Sequence, residues 1–478
     1  MAELVQLRRA EEEDGGSGLA PGDGGGVRSR AEEARRPIRP VSRKVYIETY
    51  GCQMNINDTE LMAGVLEEAG YLRVDEPGDA DVILVNTCAV REHAERRVRG
   101  RVGQLQKHRR DDPELVLGVT GCMAQRIGDE LLEEVDGVDL VAGPDAYRGL
   151  GERIEEIRFG DRPRGQELLE LDASENYEGI EAVRGEGVTA WVTVQRGCDH
   201  RCTFCIVPYV RGPEKNRDPG AILSESRAAV ERGYTEVTLL GQTVNSYAWE
   251  DWDFPRLLRE VARVDGLRRV RFTSPHPNDV TPGLLEVMAT EPAVCRQLHL
   301  PVQSGSDRVL KRMVRRYTSE EFLEKVRAVR DAIPEIALST DVIVGFPGET
   351  GRDFRATLEL MREVRFDDAF LYRWSPRDGT PATRFPEEDF VDGEVAQRRL
   401  EEVIDLHRGI QREVNEAEVG AVREVLVEDE AKSDGDVLGR TEGNKVVAFP
   451  GEPGEIGTYR TVRLVGTTGA TFSGERVS

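Results

Sequence analysis

Six of the seven cysteines in this 478-residue chain fall into two groups of three, and their spacing says what chemistry to look for. Cys198, Cys202 and Cys205 form the CxxxCxxC of RGCDHRCTFC, directly after an apolar run. Thiolates are soft ligands for iron or zinc. A structural zinc takes four protein ligands. No fourth Cys or His follows at a workable spacing, and His200 lies inside the turn the cysteines already occupy. Three thiolates leave one iron of a 4Fe-4S cluster open to chelate a small molecule. The second group, Cys52, Cys88 and Cys122, is spaced 36 and 34 residues apart, and each follows a strand-like run: ETYGC, VNTC, VTGC. In an open parallel sheet the C-terminal strand ends share one crevice. Three thiols, one per βα unit, converge there on one object, which reads as a second three-Cys cluster. Three cysteines packed as small hydrophobes would not need these matched positions. Cys295 precedes a strand without partners in either group and reads as a core residue. An odd cysteine count argues against a disulfide framework.

These residues need elements to position them. VYIET, DVILVNT, LVLGVTG and VDLVAG alternate with helical stretches such as TELMAGVLEEAGY. That alternation predicts βαβ units and a parallel-sheet α/β domain over 43–150. Residues 151–187 are polar and acidic, and read as a connector with room for one short strand pair. Six further strands are expected over 188–414: TAWVTVQRG, EVTLLG, RVRFTS, QLHLPVQ, ALSTDVIVG and DAFLYRWS, again separated by helices. Six βα repeats are too few for a closed eight-fold barrel, so an open, partial TIM-like (βα)6 barrel is predicted, with its site at the strands' C-terminal ends. A long helix leads out of it. Residues 415–478 carry short strands with Gly-rich turns and predict a small β-barrel. The first 42 residues, with GGSGLAPGDGGG, keep no apolar period and read as a disordered tail. The fold class is thus multidomain α/β with a terminal β-barrel.

Composition narrows the classes. Hydrophobic residues make up 38% and charged residues 32%, polar but not disordered as a whole. No run reaches the roughly 20 apolar residues that span a bilayer, and the N-terminus lacks a signal-type apolar region. No membrane association and a cytoplasmic location are expected. The net charge is -24, with 89 acidic and 65 basic residues. Only 7 of the basic residues are Lys. Global charge alone argues against a nucleic-acid partner, but a local Arg-rich face remains compatible with it.

The CxxxCxxC at the end of the first strand of a six-unit barrel resembles the radical S-adenosylmethionine (SAM) superfamily. That resemblance implies that the open iron binds the amino and carboxylate groups of SAM, and that electron transfer cleaves it to a 5′-deoxyadenosyl radical. It implies cofactor contacts from Phe204, from Gly241, Gln242 and Thr243 after the second strand, and from Gln303 and Ser304 after the fourth. GFPGET, with Gly345 and Glu349, resembles the superfamily's Gly-rich element near adenine.

The two triads, the partial barrel and the terminal barrel together resemble the methylthiotransferase family over 43–478. The motifs are YIETYGCQMNINDTE, VNTCAVREHAERR, VTGCMAQR, VQRGCDHRCTFCIVPYVRG, LLGQTVNSY, RFTSPHP, HLPVQSGSD and DVIVGFPGET. The terminal barrel is similar to the family's TRAM domain, an RNA-binding module. GCQMN, NTCAVREHAE and RFTSPHP resemble the MiaB-type branch, which methylthiolates carbon 2 of N(6)-isopentenyladenosine at tRNA position 37. Other branches act on threonylcarbamoyl adenosine of tRNA or on an aspartate of a ribosomal protein. Outside the family, an RNA-binding iron–sulfur carrier is the alternative. The resemblance implies two 4Fe-4S clusters, with Cys52, Cys88 and Cys122 holding the auxiliary one and Cys198, Cys202 and Cys205 the SAM-coordinating one. It also implies two SAM per turnover, an electron donor such as flavodoxin or ferredoxin, and the tRNA anticodon stem-loop as substrate. The protein is expected to be a monomer. A base flipped from its loop can stack on aromatics or Arg, so Arg196, Arg211, Arg373 and Trp374 are expected RNA contacts. Asn55 and Asn86 lie beside cluster cysteines and read equally as donors of hydrogen bonds to sulfur or as turn-forming residues. His276 in SPHP reads equally as structural or functional.

Overall fold

A computed structural model describes residues 43–89, 92–160, 163–185, 187–433 and 435–477. The expectation for the first 42 residues lies outside them. The chain opens with β1 (Lys44–Thr49), α1 (Gln53–Glu68), β2 (Leu72–Arg73), β3 (Val82–Thr87), α2 (Glu92–Leu105), β4 (Val116–Gly121), α3 (Cys122–Glu134), β5 (Leu140–Ala142), α4 (Leu150–Phe159) and β6 (Gln166–Leu168). The strands pair in parallel in the order β2-β1-β3-β4-β5-β6. β3 and β4 are buried along their whole length, as strands covered on both faces must be. One face packs on α1 and α4 through Leu61, Met62, Leu66 and Ile154. The other packs on α2 and α3 through Val98, Val102 and Leu131. The helices after β1 and β3 therefore leave toward opposite faces, and a crevice opens between those two strand ends.

The sheet does not stop at residue 150. β6 lies in the expected connector and adds a parallel sixth strand. Tyr177 and Ala182, later in that connector, pack into the same core as α1. The segment is thus largely part of the first domain. A three-residue QEL strand has no β signature to reveal it.

The second unit begins with β7 (Thr189–Thr193) and a hairpin of β8 (Gln195–Arg196) with β9 (Lys215–Asn216), which encloses α5 (Val207–Val210). Then follow α6 (Pro219–Glu231), β10 (Glu236–Leu240), a hairpin of β11 (Ala248–Trp249) and β12 (Trp252–Asp253), α7 (Phe254–Ala262), β13 (Arg269–Phe272), α8 (Pro282–Thr290) and β14 (Gln297–His299). Next come α9 (Asp307–Met313), α10 (Ser319–Ala332), β15 (Ala337–Val344), α11 (Gly351–Val364) and β16 (Asp368–Arg373). β7, β10 and β13 form one parallel sheet, and β14, β15 and β16 another. A parallel bridge from Val270 to Val294 joins the two. The result is the predicted open barrel of six parallel strands around one large apolar core. Asp218, Asp253, Thr281, Thr318 and Thr350 each cap the helix that follows, accepting a backbone N–H.

Both open edges are covered. Asn57 on α1 donates to the Trp191 carbonyl of β7 at 3.3 Å and accepts from the Thr193 hydroxyl at 2.6 Å. At the other edge, α12 (Gly393–Glu416) lies along β16, where Gln411 donates to the Asp367 carbonyl.

The chain ends in β17 (Val422–Glu430), β18 (Asp436–Thr441), β19 (Val446–Pro450), β20 (Tyr459–Thr467) and β21 (Thr471–Arg476), a closed barrel in the order β17-β18-β19-β21-β20. Its core is Val425, Val437, Val447, Phe449, Val462, Leu464 and Phe472 among others. It docks at the N-terminal ends of the large barrel's strands. Arg269 donates to the carbonyls of Arg440 and Glu424, both at 2.8 Å, and Arg268 lies 3.7 Å from the Tyr459 ring centroid. No described helix is long and apolar enough to cross a membrane.

Candidate functional site

Cys52, Cys88 and Cys122 follow β1, β3 and β4, three neighbouring strands of one parallel sheet. Cys52 and Cys88 share a hydrogen bond, which, with the nearby Arg211 charge, lowers the Cys52 thiol from 9.0 to about 6. Burial raises the Cys122 thiol. Against that, Arg211 donates its Nε–H to Cys122 Sγ at 3.1 Å. Asn55 does not donate to sulfur: its Oδ1 accepts from the Cys52 thiol at 3.4 Å, and its amide nitrogen donates to Asn86 and to the Thr87 carbonyl. Asn86 donates to the Asn55 carbonyl and to Thr59. The two asparagines tie β1, α1 and β3 together, and neither donates to a thiol.

Cys198, Cys202 and Cys205 lie in the β8–β9 hairpin. Cys198 Sγ is 3.2 Å from the Thr243 hydroxyl, at the end of β10. Arg315 donates to Cys202 Sγ at 3.5 Å. Burial, then the Cys202 charge, pushes Cys205 up to about 12. Cys122 and Ile206, the neighbour of Cys205, share one apolar cluster with Ala89 and Val210. Cys122 and the residue after Cys205 thus meet at a seam between the first domain and the large barrel.

Both donor sets suit an iron–sulfur cluster. Each offers three thiols and one arginine N–H donated to sulfur, which favours the thiolate form. Cys295, the seventh cysteine, is 2% exposed and lies beside Arg271, away from both sets.

The remaining predicted residues divide. Phe204 and Trp374 border a common apolar cluster with Val309, Met313, Phe346 and Ala382. Gln242 Oε1 is buried without a partner. Gln303 sits at φ 70° beside the end of β15. Gly345, at φ 69°, donates its N–H to Glu349, whose other carboxylate oxygen is buried without a partner. Gly241 is confined, since a Cβ there would lie 2.9 Å from Val244 Cα. Ser304 is fully buried. Its hydroxyl accepts from the Ser306 N–H and pairs with Thr357, so it organises the loop instead of facing a cofactor.

Two expected RNA contacts are corrected. Arg196 and Arg211 are 1% and 4% exposed and both pair with Asp58, at 2.9 and 2.6 Å. Neither is open to stack on a base. Burial would raise Asp58, but Arg211 and Arg196 outweigh it and hold the carboxyl below its ordinary range. Arg373 is exposed at the end of β16, and Trp374 is partly buried. His276 is 5% exposed, stacks on His200 at 4.1 Å, and is held neutral to about 2 by burial and then Arg315.

Asp58 and Arg315, which contact the candidate site, are the residues that motif reading did not single out. Asp58 carries one signal: it sits among polar residues on a helix that is buried nearly all round. Arg315 has none that separates it from Arg312 and Arg316.

This fold and these triads define a radical SAM protein with an appended second cysteine site. The Radical SAM superfamily matches residues 192–361, the TRAM domain 416–471, and Uncharacterized protein family UPF0004 residues 44–143. The radical S-adenosylmethionine methyltransferase TsrM of Kitasatospora setae, solved with cobalamin and a [4Fe-4S] cluster, shares the fold at TM-score 0.55 and 16% identity, over 82% of this chain and 81% of that one. The chain belongs to the tRNA-2-methylthio-N(6)-dimethylallyladenosine synthase family. The relative of that name in Chlorobium luteolum is 44% identical over 440 residues, 91% of this chain and 98% of its own length. The one in Carboxydothermus hydrogenoformans is 44% identical over 445 residues, 91% of this chain and 99% of its own length.

Proposed function

We propose that this protein methylthiolates carbon 2 of N(6)-isopentenyladenosine at tRNA position 37, as a radical SAM transferase. The observation that supports the reading is the seam where Cys122 of one cysteine group packs beside Ile206, next to Cys205 of the other. Carbon 2 carries no acidic proton, so ordinary acid–base chemistry cannot replace its hydrogen. Cys198, Cys202 and Cys205 hold one 4Fe-4S cluster, and Cys52, Cys88 and Cys122 the other. When bound, these groups supply one-electron cleavage of SAM and the transferred sulfur, with two SAM consumed per turnover.

The protein's own residues aim and shield that chemistry. Thr243 and Arg315 fix Cys198 and Cys202 at the barrel mouth. Arg211 fixes Cys122 opposite them. Phe204 and Trp374 line the apolar side, which excludes water from a reactive radical. Gln242 and Glu349 each keep a buried oxygen free to accept from SAM. Arg373 stands at the mouth for the flipped nucleotide. A flavodoxin or ferredoxin supplies electrons, the protein is a monomer, and it works in the cytoplasm. An iron–sulfur carrier is the less favoured reading, since clusters that only pass electrons usually have four protein ligands.

Iron and acid-labile sulfide, counted after anaerobic reconstitution, test this. About eight irons are expected in the parent, and about four in the Cys198→Ala/Cys202→Ala/Cys205→Ala variant. About four irons falling to none would remove the second cluster and the sulfur chemistry with it.

A further inference from the structure

An acidic protein that takes tRNA needs a local basic surface. The small barrel is itself net acidic, with eleven acidic and six basic residues over 416–471, so a second basic surface elsewhere is worth seeking. The segment 92–110 offers one, with seven Lys or Arg against two Glu in a chain of net charge -24.

That segment is α2 and the short helical turn Gln106–Arg110 after it. Its buried side, Val98, Val102 and Leu105, packs on the sheet. Arg99, Arg101 and Arg109 are paired with Glu134, Glu48 and Asp139. Arg97, Lys107 and Arg110 are exposed, with no ion pair among the described residues. Between them the solvent face carries Gly100 and Gly103, and a Cβ at either would meet nothing within 4 Å. Glycine inside a helix costs about 1 kcal/mol relative to alanine. Two of them on an open face have no packing reason among the described residues. A bare helix surface flanked by unpaired cations suits the close approach of a phosphodiester backbone.

The ridge starts at the site. α2 begins four residues after Cys88, and the Arg97 guanidinium lies 5.8 Å from the ring centroid of Tyr50, two residues before Cys52. From there the helix runs back along the sheet for roughly 21 Å. We propose that the exposed face of α2, with Arg97, Lys107 and Arg110, is the docking surface for the sugar–phosphate backbone of the stem that leads to the target nucleotide. This rests on the reading that the substrate is tRNA.

The test is binding of an isopentenylated anticodon stem-loop RNA to the reconstituted full chain over a range of salt. For Arg97→Glu/Lys107→Glu/Arg110→Glu, affinity falls on the order of tenfold or more, and the slope of log affinity on log salt shrinks by about two. Iron content and melting temperature stay at parental values. Lys432→Glu/Arg463→Glu on the small barrel has a smaller effect. Gly100→Ala/Gly103→Ala raises the melting temperature of the RNA-free protein yet weakens RNA binding. Parental affinity and slope in the triple variant, with a parent that methylthiolates tRNA, overturn the ridge alone. A parent that binds no RNA, or an acidic protein in its place, overturns both readings.

Discussion

Arg211 donates to the sulfur of Cys122 at 3.1 Å and to the carboxylate of Asp58 at 2.6 Å, so one side chain from the large barrel holds both a candidate ligand and a helix of the first domain. With Arg196 on the other Asp58 oxygen, the buried trio keeps one net positive charge beside the thiols. A cation there favours thiolates and, through them, cluster retention.

Arg211→Gln removes that charge. Measured in a Cys198→Ala/Cys202→Ala/Cys205→Ala background, where only the auxiliary site remains, iron is expected to be held roughly 10- to 100-fold less tightly against a chelator. Arg211→Lys recovers part of the loss. Unaltered retention in the Gln variant would show that the contact is incidental.

Asp58→Asn strands two buried guanidinium groups. The expected loss of stability is about 3–5 kcal/mol, read from the denaturant midpoint of the cluster-free protein. Because the folded carboxyl titrates below its ordinary 3.8, its contribution is present above about pH 4 and lost as pH falls through the folded value. The variant therefore loses this part of the acid limb. An equal acid limb in parent and variant would contradict the assignment.

These partners explain where sequence reading stopped. The six cysteines stood out as candidates because residue type and position after a strand are both local. Strand and helix alternation was legible for the same reason. The burial of Arg196 and Arg211 was not, because Asp58 lies 138 and 153 residues away. An Arg beside a cysteine motif looks the same whether it meets solvent or a distant carboxylate. Ser304 misled for a related reason: its partner Thr357 is on another βα unit.

In the cluster-free, reduced protein at pH 7, Cys52 is mostly thiolate and Cys205 is thiol, since they lie at about 6 and about 12. Cys52 is also exposed. Iodoacetamide with peptide mapping should label Cys52 before Cys205, and the rate at Cys52 should level off above pH 7. A reversed order would refute the proposed hydrogen bond from Cys88.

Gly345→Ala places a Cβ at a left-handed φ of 69° and within 2.6 Å of the Ala396 Cβ. A cost of about 1–3 kcal/mol is expected from the backbone alone. Adding Ala396→Gly relieves the contact and leaves the backbone strain, so melting temperature recovers only in part. Full recovery would assign the whole effect to the clash.

Cys295→Ala should keep about eight irons, whereas Cys88→Ala should keep about four. Equal counts in the two variants would break the division of the cysteines.

The way α1 lies along β7 has a consequence for how the molecule can be taken apart. Asn57 occupies the Trp191 carbonyl at the edge of the large barrel, and α12 does the same work beside β16. An edge strand left bare is a template for pairing with another chain. A fragment starting at residue 188 would lose α1 and bare one such edge while keeping its own cysteine triad. Its natural fate is intermolecular sheet growth, not an autonomous radical enzyme. The first domain therefore also shields an edge of the second, in addition to whatever its thiols hold.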